Sequence, residues 1–325
     1  MAILLIYFTA LFLAATAAFA SLPLWRFFCW RTGLVDDPGR RKIHTAPMAL
    51  AGGLAVMTGI LAPLCAVWIA MNAPGLHLSW LPAWQHGFSR RETQLGVLFL
   101  GAAGMLALGL LDDRFELRPP VKFAGQCAMA ILVAASGVRI TLFVPNLFFS
   151  YAMTVLWILT VTNAFNFMDN MNGLCTGLGV IAAWFFSWNA AIHGQYLVAL
   201  LGFLSCGALL GFLPWNFPHA SAFLGDAGSH LTGYWLATLA ILPHFHIASD
   251  PNPWAVISPL LVLALPLFDL CWVVCLRCNK GQPFYIGDTN HLSHRLVRLG
   301  LSRTTAVMVI WLIAAVVGAT TFILF

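Results

Sequence analysis

The chain has 325 residues, of which 61% are hydrophobic and only 8% charged, with a mean hydropathy of +0.87. An ordinary soluble domain carries about 25% charged residues, so this chain cannot cover a water-facing surface with solvated side chains. A soluble enzyme, a disordered tail and a nucleic-acid binder are excluded. The net charge of +5 matters less than where the few charges sit, because each one near lipid is costly.

A membrane span needs about 20 apolar residues. About ten are predicted, at 2–24, 48–71, 94–111, 121–138, 149–167, 174–192, 196–213, 230–247, 255–276 and 304–325. They read as a single polytopic all-α membrane domain covering 1–325, with no internal repeat and no separate soluble domain. The run Met1–Leu24 is followed, not preceded, by basic residues (Arg26, Arg31), so it reads as a retained span and not a signal peptide. The stretch 139–150 is either a short outer loop or a re-entrant segment. The eight cysteines lie mostly in apolar runs and do not form a secreted disulfide framework.

Ten spans put the loops 25–47, 112–122, 163–173, 214–229 and 277–303 on one face. That face holds 13 of the 16 Lys/Arg; Arg90, Arg91 and Arg139 are on the other. The positive-inside bias makes the first face cytoplasmic and both termini external. Eight of the eleven acids share that face: Asp36, Asp37, Asp112, Asp113, Glu116, Asp169, Asp226 and Asp288. Positive-inside predicts no such bias for acids, so a metal site with acid/base groups is expected there. Of the other three, Glu92 and Asp250 are external, and Asp269 lies inside a span about two turns from its cytoplasmic end, with Arg277 or a loop cation as its expected partner.

Each loop carries chemistry. Asp112 and Asp113 are adjacent carboxylates that need a cation nearby, which Lys122, Arg114 or a divalent ion would supply. Asn163, Asn166 and Asp169 fall on one helical stripe at i, i+3 steps, and oxygen donors at that spacing suit Mg²⁺ and sugar hydroxyls. Gly225 and Gly228 let backbone approach a ligand. Asp226, at a helix start suited to a phosphate, would hold a bridging metal. His291, His294 and Arg295 read as phosphate donors and not as a zinc pair, since thiolates and a third ligand are missing nearby. Lys42 and His44 belong to a basic cluster in the first loop. Together these features suit phosphoryl transfer, where catalysis is mostly positioning and charge neutralisation.

Five ordered stretches then carry a resemblance: Arg41-Lys42-Ile43-His44 with Gly52-Gly53; Asp112-Asp113 with Lys122 to Gln126; Asn163 to Asp169; Asn216 with Phe223 to Ser229; and Asn290 to His294. Over about residues 33–300 the chain resembles the polyprenyl-phosphate N-acetylhexosamine-1-phosphate transferases, the membrane enzymes of glycosyltransferase family 4, and within them the N-acetylglucosamine-type branch. The resemblance implies attack by undecaprenyl or another polyprenyl phosphate on a UDP-N-acetylhexosamine, with release of UMP. That reaction initiates lipid-linked glycan synthesis for the cell envelope. It implies Mg²⁺, or Mn²⁺ in its place, held by Asp226 and Asp169. Asp112 would deprotonate or orient the lipid phosphate, with Asp113 supporting it and Asp169 completing the catalytic acids. Substrate would be held by Lys122, Asn166, Asn172, Asn216, His291, His294, Arg295, Lys42 and His44, with Phe223 stacking on uracil. It further implies an inner-membrane enzyme with its site facing the cytoplasm, and a homodimer in keeping with the pairing of many members. One departure stands out. Most bacterial members carry Asp-Gly-x-Asp-Gly where this chain has Asp169-Asn170-Met171-Asn172-Gly173, so the second acid is a neutral oxygen donor here. A transporter of a sugar or phosphorylated metabolite is the competing reading; it would place polar residues at the bilayer midplane on broken helices.

Overall fold

The structure, a computed structural model, describes residues 2–37, 46–72, 91–142, 144–243, 256–283, 285 and 288–324. Helix α1 (Ala2–Thr32) leads into a two-residue antiparallel ribbon, β1 (Val35–Asp36) against β2 (Met48–Ala49). There follow α2 (Gly52–Asn72), α3 (Glu92–Phe115), α4 (Pro119–Ala135), α5 (Leu147–Met168), α6 (Leu174–Ile192), α7 (Tyr196–Asn216) and α8 (Gly225–Ile241). The chain closes with α9 (Ser258–Val262), α10 (Ala264–Asn279), α11 (Leu292–Arg298), α12 (Arg303–Ala319) and α13 (Thr321–Leu324). In lipid every backbone N–H and C=O must be satisfied within the protein, so long apolar runs become helices. The protein is a polytopic all-α membrane protein.

Seven stretches among the described residues are helical over at least 18 residues and apolar enough to cross a bilayer: α1, α2, α3, α5, α6, α7 and α12 with its continuation α13. The other three predicted spans are shorter or interrupted helices. α4 and α8 have 17 residues each, about 26 Å of helix. The run 255–276 is divided at Leu263 into α9 and α10. Pro266 is the physical reason: it has no N–H for the Val262 carbonyl, and in a continuous helix its ring would clash with that carbonyl. The described part of 139–146 is a connection, closed by Asn146, whose side chain accepts from the Phe149 N–H at the start of α5.

The loops are shorter than predicted. Hydropathy marks where lipid stops, whereas a helix runs on to its cap. α3 continues through Asp112 and Asp113 and ends only at Glu116, whose φ of 47° lets its N–H reach the Asp112 carbonyl. Pro119 opens α4, so Lys122 stands on that helix's first turn. Asn163 and Asn166 lie on the last turns of α5.

α8 is the axis of the bundle, packed by α2, α3, α5 and α6. From Gly225 to Ala240 every residue except Asp226 is buried. A helix buried all round is mostly apolar or small, and α8 carries Gly225, Ala227, Gly228, Ser229, Gly233, Ala237 and Ala240, with His230 a buried polar exception that faces Gln126. α1 sits at the periphery. Its seam of Ala10, Ala14, Ala18 and Leu22 is buried, while Leu5, Phe12 and Leu24 face outward. Opposite that seam are Gly207 and Gly211 of α7, which lie against the carbonyls of Leu11 and Ala15. Small residues four apart let two membrane helices meet backbone to backbone. Gly211→Leu will force α1 off α7 at a cost of about 1–3 kcal/mol, read as an earlier loss of the monodisperse peak in a thermal size-exclusion series. An unchanged midpoint would show that this seam does not hold the bundle.

Candidate active site

Backbone contacts hold the segment leading into α8. The Gly52 N–H donates to Phe223 O at 3.0 Å and the Gly53 N–H to Leu224 O at 3.2 Å, while the Phe223 N–H donates to Ala49 O at 2.9 Å. A Cβ on Gly53 would strike the Gly228 backbone, and one on Gly109 of α3 would strike Ala227. Glycine at these two positions is what lets α2 and α3 close on α8. Asp113, at the end of α3, then accepts from the Asp226 N–H at 2.8 Å and the Ala227 N–H at 3.1 Å. A carboxylate there satisfies two otherwise open donors of a helix start and favours its dipole. Asp113 thus joins the end of one helix to the start of another.

Its neighbour Asp112 faces the opposite way. One oxygen accepts from the Leu117 N–H at 2.8 Å, and the other meets Lys122 Nζ at 2.6 Å. The same ammonium meets Asp226 at 2.9 Å and Asn166 Oδ1 at 3.4 Å. Asn166 donates its amide to Asp226 at 2.6 Å and to Ser229 at 3.0 Å. One cation therefore bridges carboxylates from α3 and α8. The Asp112 side chain is 8% exposed, Lys122 19% and Asp226 34%, so Asp226 is the more open of the two acids that Lys122 bridges.

Asp112, Asp226 and His230 each offer a ligand atom, and these atoms lie within 4.8 Å of one another. Carboxylate oxygens suit Mg²⁺ or Mn²⁺, whereas imidazole suits softer ions. His230 is already engaged: the Gln126 amide lies 3.3 Å from its Nε2, and Gln126 in turn accepts from Asn163 at 2.7 Å. The donor set fits a hard divalent cation held by the two carboxylates, with phosphate and water completing its shell. Asp169, expected as a ligand, is not one of these three groups. It accepts from the Gly225 N–H, and burial first, then the charges of Asp226 and Asp113, push its carboxyl up to about 8.

A second network lies against the end of α5. Asp269, buried on α10, contacts His291 Nδ1 at 2.6 Å and accepts the Leu292 N–H at 2.6 Å. Its partner is thus His291 and not Arg277. Arg277 pairs with Asp288 at 3.0 Å and lies 4.9 Å over the Phe167 ring. Burial opposes the charge on Asp288, but Arg277 and the Asn290 N–H hold its carboxyl down at about 2. Ser293 donates to Asn170 at 2.6 Å, and His291 packs edge-on against Phe167. His294 lies beside His291; burial first, then His291, Arg298 and Arg303, lower its pKa.

Other expected site residues have further settings. Asn216 is buried with its amide fully engaged: its oxygen accepts from the Gly173 N–H and Thr176 Oγ1, and its nitrogen donates to Ala222 O. It clamps two loops. Asn172 is exposed and donates to Pro218 O at 3.2 Å. Arg295 stacks over Trp272 at 4.6 Å. Phe223 is half-buried. Lys42 and His44 lie outside the described residues. Conversely, His230 was not singled out from the sequence. His230 had a signal: it stands four residues after Asp226, on the same helical face.

The raised Asp169 carboxyl has a stability consequence. Between the ordinary carboxyl value and about 8, the folded chain holds a proton there that the unfolded chain has released. Stability therefore falls as pH rises through that window. In metal-free buffer, Asp169→Asn will raise the thermal midpoint more at about pH 9 than at about pH 5; an equal shift at both would contradict the assignment.

Residues 95–244 match the family described as Glycosyl transferase family 4. The chain is 31% identical over 310 residues to a probable undecaprenyl-phosphate N-acetylglucosaminyl 1-phosphate transferase of Bacillus subtilis, covering 93% of this chain and 80% of that protein. It is 34% identical over 335 residues to the decaprenyl-phosphate N-acetylglucosaminephosphotransferase of Mycobacterium tuberculosis, covering 94% and 80%. With the undecaprenyl-phosphate alpha-N-acetylglucosaminyl 1-phosphate transferase of Escherichia coli it shares 26% identity over 303 residues, covering 89% and 76%. At such identity and coverage, with the charged cluster at the joined ends of α3, α4, α5 and α8, the chain belongs to glycosyl transferase family 4.

Proposed function

We propose that the protein transfers N-acetylglucosamine-1-phosphate from UDP-N-acetylglucosamine to a membrane polyprenyl phosphate, such as undecaprenyl phosphate, and releases UMP. The observation that carries this reading is the clasp of Lys122 on Asp112 and Asp226, bordered by Asn166 and Asp169, at one end of the bundle. The names of the relatives supply acceptor and sugar. They are all transferases, and transport finds no support among them.

In this reaction an oxygen of the lipid phosphate bonds to the β-phosphorus of the donor. The bond from that phosphorus to the bridging oxygen breaks, and UMP leaves with the electron pair. Asp112 orients the lipid phosphate and takes its proton where it carries one. Lys122 and Asn166 offset the charge gathering on the phosphoryl oxygens; fixed donors at such a site cost no reorganisation as the reaction proceeds. Asp113 acts at one remove, by setting the first turn of α8. Phe223 stacks on uracil, and His291, His294 and Arg295, with Lys42 and His44 from the first loop, steady phosphates. Mg²⁺, when bound to Asp112 and Asp226, supplies neutralisation of the diphosphate charge.

A site on the basic face fits a cytosolic nucleotide-sugar and a lipid headgroup meeting at the inner surface of the cytoplasmic membrane, with both termini external. The bias of 13 of 16 Lys/Arg to that face supports this orientation.

Incubating purified protein with polyprenyl phosphate and a panel of UDP-sugars will give UMP and a lipid product with the mass of a diphospho-N-acetylglucosamine adduct. Chelation will stop it and Mg²⁺ will restore it. Asp226→Ala and Asp112→Asn will each lower turnover by about 10²–10³-fold. Parental turnover in either variant would break the residue assignment. Sugar uptake into liposomes without a lipid product would favour transport.

A further inference from the structure

We infer that Asp269 is a positioning residue for this reaction, acting through His291. The inference rests on the transferase reading above, because it concerns the phosphate-facing histidine of that site.

Asp269 sits within α10 and is 1% exposed. Burying a carboxylate is costly unless it is hydrogen-bonded throughout. Here one oxygen takes the His291 Nδ1 at 2.6 Å and the other takes the Leu292 N–H at 2.6 Å. An ionised carboxylate only accepts, so the proton of this contact belongs to Nδ1. That fixes the ring: Nδ1 points into α10, and Nε2 is the atom left for a ligand. Among the described residues Nε2 has no hydrogen-bond partner. An acid on the far nitrogen sets a histidine's tautomer and orientation, and supports the imidazolium that forms when an anion faces the near one.

The position of this ring is over-determined. Phe167 meets His291 edge-on with centroids 5.7 Å apart. Ser293 ties to Asn170, and Arg277 pins Asp288 while lying over the same Phe167 ring. Phe167 lies between Asn166, which holds Asp226, and Asp169, which accepts from Gly225. His291 is therefore joined through α5 to the charged cluster. α10 provides both anchors of its segment, Asp269 for the ring and Arg277 for the residues before it.

The test is a double-mutant cycle on kcat for UMP release, using purified full-length protein with UDP-N-acetylglucosamine and polyprenyl phosphate. Asp269→Asn keeps the shape but swaps the obligate acceptor for an amide, and will lower kcat by about 10–100-fold. Asp269→Glu will recover part of the loss. In a His291→Ala background, Asp269→Asn will cost nothing more, because the residue through which it acts is gone. A parental kcat in Asp269→Asn, or losses that multiply in the double variant, would overturn the inference; multiplying losses are what a merely structural role would give. Nitrogen NMR of histidine-labelled parental protein, with the His291 signal assigned by its loss in His291→Ala, needs no Asp269 variant to fold. It will show His291 protonated at Nδ1. A signal protonated at Nε2 alone would overturn the inference. Absence of UMP release by the parent would instead refute the transferase reading, and the nitrogen spectrum would still decide the tautomer.

Discussion

Two carboxylates from different helices share one ammonium, and most of the site follows from that contact. Asp112 and Asp226 repel one another across a partly buried boundary, and without a cation their approach would be unfavourable. Lys122 lies within 2.9 Å of both. To bring it there, α3 must end and α4 must begin within one short turn, which Glu116 and Pro119 accomplish. To bring Asp226 there, the first turn of α8 must lie against α2 and α3 without intervening side chains, which Gly53 and Gly109 allow. Asp113 then locks the arrangement by capping α8 from α3. The adjacent acids thus divide the work: one faces the cation, the other holds the scaffold.

The charges were legible in the sequence because lipid makes them conspicuous. In a chain that is 8% charged, acids crowded on one face stand out, and Asp112, Asp113, Asp169 and Asp226 were found on that basis. Helix ends were less legible. Hydropathy falls at Asp112, yet the helix runs on to Phe115, because backbone hydrogen bonding does not stop where the lipid does. Asn216 shows a different difficulty. The family resemblance implied a substrate-holding role for it, and only the fold reveals that it closes the loops at Gly173 and Ala222. The partner of Asp269 was hidden for a related reason. Arg277 lies two turns away on the same helix, but the capture of Arg277 by Asp288 and of Asp269 by His291 depends on how the last loop folds back.

The Asn170 and Asn172 substitutions in the Asp-Gly-x-Asp-Gly pattern find different settings. Asn170 donates to Phe167 O and accepts from Ser293, so it ties the end of α5 to the last loop. A glycine at that position would have no side chain to do so. Asn172 lies at the surface and reaches Pro218. A carboxylate there could not donate to that carbonyl, so the amide adds a tie between two loops where an acid would add a charge.

The enclosure of α8 on every side has a consequence for how the protein meets membranes of different thickness. Stretching or thinning a bilayer acts on helices that touch acyl chains, and they answer by tilting. α1 presents Leu5, Phe12 and Leu24 to those chains, whereas the walls of α8 are other helices. The outer helices absorb mismatch, and the acid that α8 carries is shielded from the mechanical state of the lipid around it.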